Sequence, residues 1–194
     1  EKKDAMLGLI TATPDLDALK GCDLIIEAVF EDPKVKAEIT QKVEQVIPED
    51  CIFASNTSTL PITELAKASA RQEQFIGIHF FSPVERMLLV EIIKGANTGD
   101  RAVAKALDYV RQIRKTPIVV NDARFFYCNR CIIPYMNEML RMITEGIAMP
   151  LIDHAAQQLG FPVGPVQLND ETSIDLGAKI ARATKAAMGN AYPD

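Results

Sequence analysis

Leu24-Ile25-Ile26-Glu27-Ala28-Val29-Phe30 is an apolar run of strand length, and its continuation into a helix and a second strand decides the fold. Pro33 opens a helical pattern through about residue 46, with Val35, Ile39, Val43 and Val46 on one face and the proline in the first turn. Cys51-Ile52-Phe53-Ala54 is a second strand and ends in Ser55-Asn56-Thr57-Ser58. Strand, helix, strand in this order is the unit of a wound α/β sheet. The same alternation continues outward. A short helix is expected over 62–68, and Phe75-Ile76-Gly77-Ile78-His79-Phe80-Phe81 is a third strand. Ser82-Pro83-Val84-Glu85-Arg86 is a turn, and Leu88-Leu89-Val90-Glu91-Ile92-Ile93 a fourth strand. Val103, Leu107, Val110 and Ile113 mark a helix over 100–115, and Pro117-Ile118-Val119-Val120 a fifth strand. Continuous apolar runs of this kind suit strands buried on both faces, as parallel sheets require.

After Asn121-Asp122 the alternation stops. Ile132, Ile133, Met136, Met139, Leu140 and Ile143 recur at helical spacing, which predicts a long helix over about 125–145. Further helices are expected over 150–159 and 174–188, with a rigid turn at Gly160-Phe161-Pro162-Val163-Gly164-Pro165 between them. The chain therefore reads as an α/β domain over 1–122 and an all-helical domain over 123–194. No internal repeat is found.

The 194 residues are 48% hydrophobic and 24% charged, enough for a packed core and unlike a disordered or low-complexity chain. A net charge of −5 argues against a nucleic-acid surface. No run approaches the roughly 18 apolar residues of a membrane span. The start at Glu1-Lys2-Lys3-Asp4 resembles no signal peptide and reads as a cut edge. Without such a signal, Cys22, Cys51, Cys128 and Cys131 are read as thiols in a reducing compartment, and the location as cytoplasmic. Cys128-Asn129-Arg130-Cys131 has the spacing of a metal or redox pair, but His79 and His154 are the only histidines, and the segment reads as a buried helix. No metal site is expected.

Ligands of open α/β sheets bind beyond the carboxyl ends of the strands. Three strands end there in polar residues: Glu31 after the first, Ser55 to Ser58 after the second, and His79 near the end of the third. Glu91 interrupts the fourth strand, and a carboxylate there must be paired or neutralised. His79, two strands and a turn away, is its economical partner. Such a pair fixes the imidazole tautomer and raises the basicity of the other nitrogen, yet it reads equally as a structural pair. Asn129 falls on the apolar stripe of the long helix, either capped by neighbours or directed at a ligand. Ser58 is either a site residue or a helix cap. Lys34 and Lys36, in the first turns of their helix, are either solvated or near a phosphate. His154 reads as a surface residue.

The series Val29-Phe30-Glu31-Asp32, Lys34-Val35-Lys36, Ser55-Asn56-Thr57-Ser58, His79-Phe80-Phe81-Ser82-Pro83, Val90-Glu91, Asn129-Arg130 and 160–165 resembles L-3-hydroxyacyl-CoA dehydrogenase over essentially the whole chain. The tail Asp170-Glu171-Thr172-Ser173-Ile174-Asp175-Leu176-Gly177 looks like the form in the α subunit of the bacterial fatty acid oxidation complex. The resemblance implies a Rossmann-type NAD-binding domain followed by a helical substrate-binding and dimerisation domain, with substrate in the cleft between. It implies oxidation of L-3-hydroxyacyl-CoA to 3-ketoacyl-CoA with NAD in fatty acid β-oxidation. His79 would take the hydroxyl proton as hydride leaves C3, and Glu91 would orient it. Ser58 and Asn129 would bind the reacting oxygens and the nicotinamide side. Glu31 and Lys36 resemble cofactor contacts, and so does Ser82, which stands where the family often has Asn near the nicotinamide. The implied partners are an acyl-CoA substrate and either a second copy of the chain or a thiolase subunit.

Two departures bear on these expectations. Arg124-Phe125-Phe126 stands where the family usually has Pro-Gly-Phe, so a turn glycine is missing. None of the ten glycines forms the Gly-x-Gly-x-x-Gly loop that cradles a dinucleotide pyrophosphate. The expectation is thus a domain without its first βαβ unit, from an enzyme truncated at both ends. Two rival readings stand beside this one. A Ser58-His79-Glu91 hydrolase triad lacks the glycines of a nucleophile elbow. An inactive fragment would act only as an acyl-CoA or subunit-binding module.

Overall fold

A computed structural model describes residues 2–172 and 174–189, so Glu1 and Ser173 of the motifs above lie outside the described residues. The chain divides into two compact units, one through Tyr127 and one from Cys128. In the first unit, helix α1 (Lys2–Leu7) and a 3₁₀ turn at Leu16–Leu19 precede strand β1 (Leu24–Glu27). Helix α2 (Pro33–Glu44), β2 (Ile52–Ser55), α3 (Ile62–Ala66), β3 (Phe75–Phe80), β4 (Leu89–Lys94), α4 (Asp100–Gln112) and β5 (Thr116–Asn121) come next along the chain. The five strands form one sheet in sequence order.

β1, β2 and β3 are parallel, β4 is antiparallel to β3, and β5 is parallel to β4. The expectation of a parallel sheet therefore fails at one junction. Residues 81–88 make a hairpin link, and a parallel return needs a crossover of roughly a dozen residues or more. β1 also ends earlier than its apolar run. The Glu27 carboxylate accepts the Val29 N–H at 3.1 Å, which turns the chain out of the ladder and leaves Phe30 exposed.

Alternation along the strands sends side chains to two cores. Phe53, Phe75 and Ile93 pack with Val43, Ile47, Ile62, Leu65 and Phe126 on one face. Ile52, Ala54, Ile76, Ile78, Val90 and Ile92 pack against Ala102, Ala106 and Val110 of α4 on the other. Each large side chain buried this way contributes about 1.5–3 kcal/mol relative to exposure. Gly77 lets α3 sit close to the sheet, because a Cβ there would lie 2.8 Å from the Ile62 side chain and 2.9 Å from Ile93. Asp122, just past β5, accepts the Ile62 and Thr63 N–H groups at 2.9 and 2.8 Å and caps α3 from a distant point in the sequence.

The second unit holds α5 (Cys128–Thr144), α6 (Met149–Gln158), α7 (Pro165–Glu171) and α8 (Ile174–Met188). α5 starts later than its periodicity suggests because Phe125 and Phe126 have φ of 68° and 51°, a left-handed turn that ends helical backbone. Cys131 is exposed and Cys128 half-buried, so the segment is helical but not buried as expected. α7 lies just beyond the turn over 160–165 and is not apparent from periodicity. Its N-terminus is capped by Asp153 of α6, which accepts the Val166 and Gln167 N–H groups at 2.8 and 3.1 Å. Gly164 is required there, since a Cβ would overlap the Asp153 backbone and carboxylate. Tyr135 stacks on Phe161 with centroids 4.8 Å apart. Among the described residues no helix is long and apolar enough to cross a membrane.

Candidate active site

His79 and Glu91 are direct cross-strand partners in the antiparallel β3–β4 pair. That register points both side chains to the same face, and His79 Nδ1 lies 2.8 Å from Glu91 Oε2. The residues are 3% and 0% exposed. A carboxylate only accepts, so Nδ1–H donates and the imidazole lone pair is left on Nε2. The second oxygen, Oε1, accepts the Tyr127 N–H at 3.0 Å. The Phe81 ring stands 4.5 Å and the Phe126 ring 5.9 Å from the imidazole, centroid to centroid. Apolar rings around the imidazole lower the local dielectric and strengthen its hydrogen bond to Glu91.

A second cluster joins the loops after β1 and β2. Glu31 Oε1 accepts from the Thr57 hydroxyl at 2.6 Å and from the Ser58 and Thr59 N–H groups at 2.9 and 3.1 Å. Burial opposes ionisation of Glu31, but the Thr57 hydroxyl, the Lys36 ammonium and the two N–H donors outweigh it and lower its pKa. Ser58 is exposed and does not cap α3, which begins at Ile62 after Pro61. Lys34 is exposed, whereas Lys36 is 2% exposed, so the solvated reading fails for Lys36. Its ammonium lies 3.0 and 3.1 Å from the two Glu27 oxygens and 3.4 Å from Glu31 Oε2.

Glu27 is the residue that sequence reasoning missed. It ends β1, is 6% exposed, and also accepts from the Ser55 hydroxyl. A signal for it existed. Lys36, Thr40, Val43 and Ile47 form a buried stripe on and just past α2, and a lysine on such a stripe demands a carboxylate. Breaking a buried pair of this kind costs about 3–5 kcal/mol.

Asn56 Oδ1 accepts the Phe80 N–H at 2.9 Å and ties the end of β3 to the loop after β2. Ser82 is exposed at the start of the hairpin link, which Lys115 holds by donating to the Val84 and Met87 carbonyls at 2.5 and 2.7 Å. Asn129 is half-buried in the first turn of α5, in the second unit. His154 is exposed and bonded to Gln158 at 2.9 Å, the surface residue expected.

Comparison with known proteins agrees along the whole chain. Residues 1–123 match the family described as 3-hydroxyacyl-CoA dehydrogenase, NAD binding domain. Residues 126–194 match 3-hydroxyacyl-CoA dehydrogenase, C-terminal domain. Among solved structures, FadB2 of M. tuberculosis is 33% identical with a TM-score of 0.91, covering 98% of this chain and 68% of its own. The (S)-3-hydroxybutyryl-CoA dehydrogenase PaaH1 of Ralstonia eutropha is 34% identical with a TM-score of 0.89, covering 95% of this chain and 66% of its own. The 3-hydroxybutyryl-CoA dehydrogenase of Escherichia coli is 29% identical with a TM-score of 0.85, covering 96% of this chain and 43% of its own. This chain thus spans 43% to 68% of the length of those relatives. A Rossmann-like sheet followed by a helical unit, each matched by its own family domain, makes the chain a member of the 3-hydroxyacyl-CoA dehydrogenase family of NAD-dependent oxidoreductases.

Proposed function

We propose that the protein oxidises L-3-hydroxyacyl-CoA to 3-ketoacyl-CoA with NAD, in fatty acid β-oxidation. The observation that carries this reading is the buried His79–Glu91 pair at 2.8 Å, set on adjacent strands of a sheet that belongs to the family. His79 Nε2 receives the proton of the substrate 3-hydroxyl. Glu91 holds the imidazole through Nδ1 and stabilises its protonated form, so the base is oriented before substrate arrives. NAD, when bound, supplies the hydride acceptor. The residues fit its nicotinamide end. Glu31 offers a carboxylate suited to ribose hydroxyls, Lys36 supports it from the buried side at 3.4 Å, and their cluster suits a cationic ring. Ser58 and Ser82 line the same edge, and Asn129 serves the reacting oxygen. The proposed setting is cytoplasmic, with a homodimer or a thiolase-containing complex as the assembly.

The test is nicotinamide absorbance with acetoacetyl-CoA, read on the gene product that contains this chain. NADH consumption that depends on acetoacetyl-CoA is the expected result. Tight acyl-CoA binding with no turnover would instead favour a binding module.

A further inference from the structure

Two carboxylates and one ammonium meet at the carboxyl end of β1. Glu27 and Lys36 are 6% and 2% exposed, and Lys36 Nζ bridges Glu27 at 3.0 Å to Glu31 at 3.4 Å. Glu27 is fixed independently of Lys36, because the Ser55 hydroxyl and the Val29 N–H both donate to it. The cluster therefore keeps one net negative charge, and Glu31, the more exposed member, carries it toward the strand-end edge. The oxidised nicotinamide ring is a cation and the reduced ring is neutral, so a fixed negative charge beside the ring discriminates between them.

We propose that Glu27 is a positioning residue that acts through Lys36: by taking the closer share of the ammonium, 3.0 Å against 3.4 Å to Glu31, it leaves the cluster one negative charge in excess at Glu31, and this favours oxidised over reduced cofactor. The inference rests on reading this edge as the nicotinamide site. Without the Glu27 charge, Lys36 neutralises Glu31 alone and the cluster presents no net charge. Burial limits screening by salt, so the effect persists at physiological ionic strength.

Dissociation constants for NAD⁺ and NADH, measured by calorimetry on the gene product containing this chain, test the proposal. Glu27→Gln keeps the shape and removes the charge. It is expected to weaken NAD⁺ relative to NADH by roughly fivefold to tenfold, the effect of one nearby charge at intermediate dielectric. Glu27→Asp keeps the charge and is expected to retain the wild-type ratio while weakening both forms. A merely structural role would lower stability and weaken both forms alike in either variant. An unchanged ratio in Glu27→Gln, or a ratio lost in Glu27→Asp, would overturn the proposal. If the Gln variant does not fold, Glu31→Gln decides it: removing the excess charge is expected to shift the ratio by the same roughly fivefold to tenfold, and an unchanged ratio would overturn the proposal. Wild-type protein that binds neither nucleotide form would overturn the nicotinamide reading itself, a result separate from any ratio.

Discussion

Phe125 and Phe126 share a left-handed backbone but differ in what their side chains do. Phe126 is 2% exposed and packs into the core beside His79, whereas Phe125 is only half-buried. Left-handed backbone costs a residue other than glycine about 1–2 kcal/mol. Phe125→Gly is therefore expected to raise Tm by roughly 2–4 °C in thermal melts, and Phe126→Gly to cost about 3–5 kcal/mol through the lost core ring. Glu31 yields a pH prediction. Its carboxyl titrates below the ordinary value of 4.5, so the folded form holds this proton less tightly than the unfolded chain. The stability it contributes is fully present above that value and is lost as pH falls through the folded value. Urea midpoints of wild type and Glu31→Gln should differ by a constant amount above about pH 5 and converge in more acid solution. At this scale the sequence was informative where a polar residue broke an apolar strand and its partner stood on the next one, as His79 and Glu91 do. Glu27 also breaks an apolar run, Leu24 to Phe30, but its partner Lys36 lies on a helix and β1 ends at it, so the run alone did not reveal the pair.

Among the elements, α3 and α7 are held by carboxylates that lie far away along the chain. Asp122 supplies both oxygens to the first turn of α3, whose own N-cap is Pro61 with no side-chain bond. Asp122→Ala should cost about 1–2 kcal/mol, read from denaturant midpoints, and Asp122→Asn should recover part of it. A cap borrowed across the fold leaves no local pattern, so the helix was visible in the sequence and its anchor was not. α7 left even less trace: it is short, begins at Pro165, and borrows its cap from Asp153 of α6. The direction of β4 was obscured for a related reason. An apolar run shows burial on both faces but not polarity, and only the shortness of the 81–88 link distinguishes a hairpin from a crossover.

In the molecule as a whole, each candidate site residue of the first unit except Lys36, which lies on α2, follows the end of a strand or faces a neighbour across the sheet. The parallel β1–β2–β3 order brings the Glu31 and Ser58 loops together, and the reversal at β4 sets Glu91 against His79. Had β4 run parallel to β3 through a crossover, this pairing would not arise from so short a connection. The buried pair is thus a product of the whole sheet, and the proposed chemistry depends on it. The most direct test is the turnover of His79→Gln with acetoacetyl-CoA and NADH, compared with wild type in the gene product containing this chain. In this direction His79 returns the proton to the forming hydroxyl, and general acid–base catalysis predicts a loss of roughly 10²–10⁴-fold with the fold and acyl-CoA binding retained. Turnover near the wild-type rate in that variant would contradict the role of His79.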